Sequence, residues 1–207
     1  MIKNKEQIQA VIFDWGGVCC KEGEPFASLY LQRQLALTAE QIAEQSRDIY
    51  NGYYTGQYDR DGFWRAVIKH FNLKEDAQIN SAALSDAYLH SYEIYPEVLA
   101  VAERLKTKYR VCLLSNLTSE MRDYIRQKHE TAKYFDPELY SCDADIQMMK
   151  PERGIYQILL DRIKVPALNC LFIDNSLKNI KAAENLGFQT IFFENVSQFL
   201  NEIQPLL

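Results

Sequence analysis

Five short, largely apolar segments, each followed by a polar residue, recur along the chain. Apolar runs of this length are typical of strands that are buried on both faces, as in a parallel sheet. The segments are residues 10–13 before Asp14, 110–114 before Ser115, 138–142 before Asp143, 170–173 before Asp174 and 189–193 before Glu194. We therefore predict five strands that end at these polar residues.

Helical patterns lie between the later strands. Pro96 and Pro151 each stand where a proline opens the first turn of a helix, and apolar residues follow both at helical spacing. Ser176 is a candidate N-cap for a third helix, and Gly187 stands where a glycine would end it. This alternation predicts an α/β fold with a doubly wound, Rossmann-like parallel sheet.

One long segment interrupts the alternation between the first two predicted strands. It is too long for a loop without secondary structure, and Thr38 with Gln41 resembles the capping box of a helix. We predict an inserted helical cap subdomain of residues 21–93 and an α/β core formed by residues 1–20 and 94–207. Because the insert leaves the end of the first strand, we expect it to lie over whatever binds there.

The composition is that of an ordinary globular chain, since 47% of the 207 residues are hydrophobic and 25% are charged. The net charge of −5 argues against a nucleic-acid partner, and no apolar run reaches the roughly 18 residues that a membrane span requires. Five cysteines without metal-site spacing, and a start without a signal peptide, predict a reduced, cytoplasmic protein. We expect a monomer or a homodimer.

The ends of the predicted strands carry the residues suited to chemistry. Ligands of open α/β sheets bind beyond the carboxyl ends of the strands, so Asp14, Ser115 and Asp174 should converge there, with Lys150 close by. Two carboxylates, a cation and a hydroxyl suit phosphoryl transfer, with Asp14 as nucleophile and Mg²⁺ between the two carboxylates. The pair Gly16 and Gly17 would let backbone N–H groups approach a phosphoryl group closely.

Four segments, in order along the chain, resemble the four motifs of the haloacid dehalogenase superfamily. They are residues 11–18, 113–116, 150–151 and 172–179, which read VIFDWGGV, LLSN, KP and FIDNSLKN. Four motifs in order and in the fitting strand context are a strong signal. Residues 149–156 and 56–64 are most similar to the bacterial glucose-1-phosphatase-like branch of that superfamily.

The resemblance implies a Mg²⁺-dependent phosphatase, a hydrolase of phosphoric monoesters, that acts on a small phosphorylated metabolite through an aspartyl-phosphate. By the same resemblance, the catalytic residues are Asp14, as the nucleophile, and Lys150. The implied phosphate-binding residues are Trp15, Gly16, Ser115, Asn116 and Lys150. The implied ligands of Mg²⁺ are Asp14, the carbonyl of Gly16, Asp174 and Asn175.

Three positions depart from the family pattern. The residue two after the nucleophile, usually an aspartate that serves as general acid and base, is Gly16. Asn175 replaces the second acidic residue of the fourth motif, and Gln147 replaces a small residue before the lysine. General acid assistance contributes about 10²–10⁴-fold. We therefore expect an enzyme biased toward good leaving groups, and the pattern leaves open what supplies the general acid.

Two other functions fit parts of the same pattern. A 2-haloacid dehalogenase also uses an aspartate nucleophile, without a metal, and would need a cap arginine such as Arg33 or Arg47. A regulatory protein that binds a phosphometabolite could retain the pocket and lose the chemistry, and Gly16 and Asn175 are the indications for it. The second carboxylate and the lysine together favour the phosphatase.

A cluster of tyrosines in the predicted cap permits two interpretations. The cluster consists of Tyr50, Tyr53, Tyr54 and Tyr58. Aromatic residues at this density are more often part of a core or an oligomer contact than of a substrate pocket. We therefore expect a structural role for most of them and keep the substrate pocket as the alternative.

Overall fold

The structure, a computed structural model, describes residues 5–23, 26–73 and 81–207. The strands within this part of the chain are β1 (Ala10–Phe13), β2 (Cys20–Lys21), β3 (Glu93–Ile94), β4 (Arg110–Ser115), β5 (Glu138–Tyr140), β6 (Cys170–Asp174) and β7 (Gln189–Phe192). Five of them form a parallel sheet in the order β5-β4-β1-β6-β7, and β2 pairs with β3 in the antiparallel direction.

Helices fill most of the remaining chain. They are α1 (Phe26–Leu35), α2 (Ala39–Gln45), α3 (Arg47–Tyr54), α4 (Arg60–Phe71), α5 (Ser81–Leu89), α6 (Pro96–Leu105), α7 (Ser119–His129), α8 (Arg153–Ile163), α9 (Leu177–Asn185) and α10 (Val196–Ile203). None of the helices described here has the length and apolar character that a membrane crossing requires.

Strand β1 lies at the centre of the sheet and is buried along its whole length. Its alternate side chains face opposite sides, as the pleat of a strand requires. Val11 and Phe13 pack with side chains of α6, α7 and α10, whereas Ala10 and Ile12 pack with those of α8 and α9. Helices therefore cover both faces, and the predicted doubly wound α/β fold is confirmed.

Local signals in the sequence placed several helix ends correctly. Pro96 is the first residue of α6, and Gly187, with φ +94°, follows the last turn of α9. The capping box of α2 is present. The hydroxyl of Thr38 accepts the N–H of Gln41 at 3.2 Å, and the side chain of Gln41 accepts the N–H of Thr38 at 2.9 Å.

Two predicted helix starts need correction. Helix α8 begins at Arg153 and not at Pro151, because the N–H of Glu152 donates to the carbonyl of Met149 at 2.9 Å and closes a turn ahead of the helix. Ser176 does precede α9, but its side chain makes no capping hydrogen bond. The backbone N–H of Ser176 serves the site described below.

The predicted third strand is also shorter than expected. Strand β5 ends at Tyr140, whereas the apolar run continues to residue 142. The N–H of Asp143 donates to the carbonyl of Tyr140 at 3.0 Å, and the N–H of Tyr140 donates to the Asp143 carboxylate at 3.0 Å. These two bonds turn the chain out of the sheet.

Helices α1 to α5 form an insert between β2 and β3, as the sequence predicts. The insert has a small core of its own, made of Leu31, Ile42, Phe63, Trp64 and Val67. The boundaries of the cap subdomain at residues 21–93 stay a prediction.

Two backbone positions of the insert contact the loop that follows β5. The hydroxyl of Ser141 donates to the carbonyl of Tyr54 at 2.7 Å. Gly56, with φ +74°, lies so close to Cys142 that a Cβ on this glycine would be 2.5 Å from the Cys142 carbonyl oxygen. These contacts hold the end of α3 against the loop that follows β5.

Two neighbouring glycines in the turn after β1 have different surroundings. Gly17 has φ +75°, and a Cβ there would lie 2.0 Å from the side-chain nitrogen of Asn175. A Cβ on Gly16 would have no neighbour closer than 3.9 Å, where the side chain of Glu22 lies. The turn therefore requires glycine at position 17, whereas position 16 has room for a side chain.

This difference predicts opposite effects of the same substitution. We expect Gly17→Ala to lower the free energy of unfolding by about 1–3 kcal/mol, because alanine is strained at positive φ and meets Asn175. Gly16→Ala, the matched control, should change it by less than about 0.5 kcal/mol. Denaturant unfolding of both variants measures this, and equal stabilities would contradict the packing described for the turn.

The helix layers allow a second stability test. Leu159 on α8 is fully buried, so Leu159→Ala should lower the free energy of unfolding by about 2–5 kcal/mol through lost burial and a cavity. Leu177 is 55% exposed at the start of α9, and Leu177→Ala should stay within about 0.5 kcal/mol of the wild type. Similar losses in the two variants, measured by denaturant titration, would show that α8 does not pack as described.

Candidate active site

Three polar side chains meet at the carboxyl edge of the sheet. Asp14 follows β1, Ser115 ends β4 and Asp174 ends β6. Because β1 pairs in parallel with both β4 and β6, these three strand ends are neighbours. Lys150 reaches the same edge from the loop between β5 and α8. The structure thus brings together four residues that are far apart in the sequence.

Lys150 lies between two carboxylates and forms with them the Asp14–Lys150–Asp174 triad. Its Nζ is 2.9 Å from Asp14 Oδ1 and 2.7 Å from Asp174 Oδ2, and its side chain is 1% exposed. The hydroxyl of Ser115 and the backbone N–H of Trp15 also donate to Asp14 Oδ1, each at 2.7 Å. Among the described residues, every polar contact of this carboxylate goes to Oδ1, which leaves Asp14 Oδ2 without a donor.

Asp174 holds Lys150 from the buried side. Besides the lysine, the side-chain amide of Asn179 donates to both Asp174 oxygens at 3.1 Å, and the N–H of Ser176 donates to Oδ1 at 2.7 Å. A carboxylate has about four acceptor positions, and these contacts use them. Asp174 is fully buried, and in this arrangement it orients the lysine.

Burial and charge act against each other in the triad. Burial raises the pKa of Asp14 to about 6, Lys150 lowers this pKa, and the charge of Asp174 raises it. Burial lowers the pKa of Lys150, but the two carboxylates raise it more, so this pKa lies above its ordinary value. The lysine therefore stays protonated, and by formal charge the two carboxyl groups outweigh it by one negative charge.

Asn116 joins the lysine loop to the end of β4. Its side-chain amide donates to the carbonyl of Lys150 at 2.9 Å, and its amide oxygen accepts the N–H of Lys150 at 2.8 Å. The backbone of Lys150 is thus held by Asn116 and its side chain by two carboxylates. Little freedom remains for the ammonium group.

A cavity of about 350 Å³ lies in front of the triad. The site residues predicted from the sequence that line it are Asp14, Gly16, Ser115, Asn116, Lys150 and Asn175. Trp15 and Asp174 do not line it. The Trp15 side chain is buried in the core on one face of the sheet, and only the backbone N–H of Trp15 contacts Asp14.

The cavity wall also contains residues to which the sequence assigned no role in the site: Glu22, Gly23, Tyr88, Tyr92, Leu117, Ser176 and Asn179. Asn179 belongs to the fourth motif. Its position in the first turn of the helix after Asp174 could have predicted that it lies at the site. Glu22 and the two tyrosines lie beside β2 and β3 and belong to no motif. Their position at the cavity depends on how the insert joins the sheet domain.

The tyrosine cluster of the insert serves two purposes. Tyr54 lines the cavity together with Tyr88, which supports the substrate-pocket alternative for this residue. Tyr50, Tyr53 and Tyr58 pack around the small core of the insert, as expected.

The cavity offers few other reactive groups. Among the described residues of its wall there is no arginine, and Arg33 and Arg47 are exposed elsewhere on the insert. Cys19 is buried behind the turn after β1, and burial raises the pKa of its thiol, so the thiol stays protonated at neutral pH. The candidate nucleophile is therefore Asp14, and Lys150 is the cation beside it.

The oxygen donors near Asp14 suit a hard cation. Asp14, Gly16 and Asn175 all line the cavity, and they offer carboxylate, main-chain carbonyl and amide oxygens, which Mg²⁺ prefers as ligands. The excess negative charge of the triad favours a cation at the same place. No group of three His, Cys, Asp or Glu side chains within the described chain could hold a metal, so main-chain and amide oxygens would be essential to the site.

The curated relatives that match the chain include an epoxide hydrolase and a haloacid dehalogenase. Bifunctional epoxide hydrolase 2 of Mus musculus is 32% identical over 140 residues, which are 65% of this chain but only 24% of that protein. The chain thus spans about a quarter of the length of this relative. (S)-2-haloacid dehalogenase of Pseudomonas putida is 25% identical over 213 residues, which cover 96% of this chain and 89% of that protein.

Solved structures support the fold, and a sequence model identifies the family. A haloacid dehalogenase family enzyme of Bacteroides thetaiotaomicron, in complex with magnesium and inorganic phosphate, superimposes with a TM-score of 0.74 at 20% identity, over 93% of this chain and 98% of that one. The model of the haloacid dehalogenase-like hydrolases matches residues 8–187, which include every residue of the triad. The chain therefore belongs to the haloacid dehalogenase-like hydrolase family.

Proposed function

We propose that the chain is a Mg²⁺-dependent phosphatase that hydrolyses a small phosphorylated metabolite through an aspartyl-phosphate. The observation that carries the proposal is the position of Lys150, midway between Asp14 and Asp174 at 2.9 and 2.7 Å. The two carboxylates compensate the charge of the lysine, and by formal charge one negative charge remains on the triad. An anionic substrate therefore needs a further cation, which Mg²⁺ would supply.

Each residue around the cavity has its own role in the proposed reaction. Asp14 attacks phosphorus through Oδ2, because Oδ1 already accepts three hydrogen bonds. Lys150 uses two of its three N–H donors on the carboxylates and offers the third to a phosphoryl oxygen. The hydroxyl of Ser115, which can rotate away from Asp14 Oδ1, and the N–H of Gly16 bind the other oxygens, while the backbone N–H of Trp15 stays on Asp14 Oδ1.

Two further residues keep these groups in place. Asn116 holds the backbone of Lys150, and Asp174 holds its ammonium group. The lysine therefore keeps its position during phosphoryl transfer. Asp174, the fourth ligand that the resemblance implies, already accepts from Lys150, Ser176 and Asn179. In this proposal Mg²⁺ would therefore be held by Asp14, the carbonyl of Gly16 and Asn175, with the charge of Asp174 behind them, and would neutralise the phosphoryl group.

The reaction has two steps in this proposal. The bond from Asp14 Oδ2 to phosphorus forms while the bond from phosphorus to the leaving oxygen breaks. Water then attacks the aspartyl-phosphate and restores the carboxylate. The cap of residues 21–93 excludes bulk water during both steps, and Tyr54 and Tyr88 on the cavity wall support that role.

The substrate class rests on the sequence resemblance. Residues 149–156 and 56–64 are similar to the glucose-1-phosphatase-like branch, which favours a sugar phosphate or a molecule of like size. The cavity of about 350 Å³ agrees with a small substrate. We further propose that the protein acts in the cytoplasm as a monomer or a homodimer.

A 2-haloacid dehalogenase is the second candidate, favoured by the alignment with the Pseudomonas putida enzyme along 96% of the chain. A 2-haloacid carries a carboxylate, which a metal-free site would have to bind beside a triad of negative charge. The described wall offers no arginine for that carboxylate. These two features favour phosphate over the haloacid. The contacts that hold Asp14 Oδ1 and leave Oδ2 free to react favour an enzyme over a regulatory protein.

One assay panel tests the proposal. We expect phosphate release from glucose 1-phosphate, acetyl phosphate or 4-nitrophenyl phosphate in the presence of Mg²⁺, and its loss when a chelator is added. Asp14→Asn should lower this turnover by about four orders of magnitude or more, because it removes the nucleophile. Asp145→Asn, which alters an exposed carboxylate paired with Arg162, is the matched control and should keep wild-type turnover.

The same panel separates the alternatives. Chloride release from 2-chloropropionate that is insensitive to chelator would replace the phosphatase by the dehalogenase. Binding of inorganic phosphate without turnover of any ester would identify the regulatory protein.

A further inference from the structure

Phosphoryl transfer to Asp14 requires a proton donor that the triad does not provide. An alkoxide leaving group needs a proton as its bond to phosphorus breaks, and the water of the second step must lose one. Lys150 is held by two carboxylates that raise its pKa, and Asp14 is the nucleophile. The donor has to be another group on the cavity wall.

Four other side chains of the described wall have a proton to exchange: Glu22, Tyr54, Tyr88 and Tyr92. Burial raises the pKa of each of the three tyrosines above its ordinary value. A tyrosine with a raised pKa is a poor acid and, once protonated, no base at neutral pH. Glu22 is the carboxyl that remains.

Glu22 lies next to the position that glycine leaves open in the turn after β1. A Cβ on Gly16 would be 3.9 Å from both Cγ and Oε1 of Glu22, and no other side chain of the described residues would come within 4 Å of it. The carboxyl of Glu22 therefore borders the open space at residue 16. Both residues line the same cavity as Asp14.

The backbone on either side of Glu22 is anchored. Before it, Cys20 accepts the N–H of Gly17 at 2.8 Å, and Lys21 pairs with β3. After it, Gly23 packs so closely on Ser91 that a Cβ would lie 2.0 Å from the serine hydroxyl. The side chain of Glu22 is exposed to solvent, so it projects from a fixed base and has access to water.

We propose that Glu22 is the general acid and base of this active site. In the first step Asp14 Oδ2 bonds to phosphorus, the bond to the leaving oxygen breaks, and the carboxylic acid of Glu22 gives its proton to that oxygen. In the second step the Glu22 carboxylate takes a proton from water, the water oxygen bonds to phosphorus, and the bond to Asp14 breaks. The ester and one water become an alcohol and inorganic phosphate, and Glu22 is again protonated.

The role of Glu22 rests on the proposed phosphatase function and extends it. Glycine at position 16 by itself predicts a bias toward leaving groups that need no proton. With Glu22 as donor, esters of ordinary alcohols become substrates as well.

First-turnover kinetics of Glu22→Gln test this role. Release of glycerol from glycerol 2-phosphate should slow by about 10²–10⁴-fold, because the departing alkoxide loses its proton donor. Release of 4-nitrophenol from 4-nitrophenyl phosphate should slow by less than about tenfold, because this leaving group needs little protonation. Affinity for inorganic phosphate in the presence of Mg²⁺ should stay unchanged.

Two companion variants complete the experiment. Glu93→Gln alters an exposed carboxylate on β3, opposite Lys21 and outside the cavity wall, and should keep wild-type rates with both esters. Glu22→Gln combined with Gly16→Asp places a carboxyl in the open space at position 16 and should recover at least about tenfold of the lost rate with glycerol 2-phosphate.

The outcomes distinguish the two proposals. A wild-type chain that releases glycerol, together with a Glu22→Gln variant that matches it within about twofold, overturns the role of Glu22 and leaves the phosphatase standing. Equal losses with both esters also overturn it, because they indicate a structural effect. A wild-type chain that releases no phosphate from any ester overturns the phosphatase and the role of Glu22 together.

Discussion

The arrangement of this site depends on one buried ammonium between two buried carboxylates. Lys150 can take that position only because β1 and β6 are parallel neighbours, so that Asp14 and Asp174 end side by side. Removing either carboxylate would leave the lysine or its remaining partner poorly compensated in a medium of low polarity. Asn116 and Asn179 complete the arrangement by holding the lysine backbone and the inner carboxylate. The pairing of the strands therefore determines which side chains meet in the site.

Charge explains how an acidic protein would accept an anionic substrate. The net charge of −5 is spread over the whole molecule, whereas the reaction depends on a few groups inside one cavity. There the triad is itself negative, so the proposed function requires a cation in addition to Lys150. The oxygen atoms around Asp14 are chemically suited to provide its ligands. The same charge disfavours a haloacid at a site without metal or arginine.

The two adjacent glycines in the turn after β1 differ in what they contribute. Gly17 is needed by the fold, because its positive φ and the contact with Asn175 leave no room for a side chain. Gly16 leaves space that the carboxyl of Glu22 borders. Glu22 stands directly after β2, where the insert joins the sheet domain. In the proposed mechanism, Glu22 would supply from outside the motif the carboxyl that glycine at position 16 lacks.

The sequence by itself placed Asp14, Ser115 and Asp174 at the ends of β1, β4 and β6, because buried parallel strands read as apolar runs and the polar residue at the end of each run lies at the ligand-binding edge. It also predicted the helical insert, through its length and the capping box at Thr38. Only the tertiary structure decided that Trp15 points into the core, that Asp174 faces Lys150, and that Glu22 and Tyr54 reach the cavity. These facts depend on contacts between segments far apart in the chain, and no local periodicity or capping signal encodes such contacts.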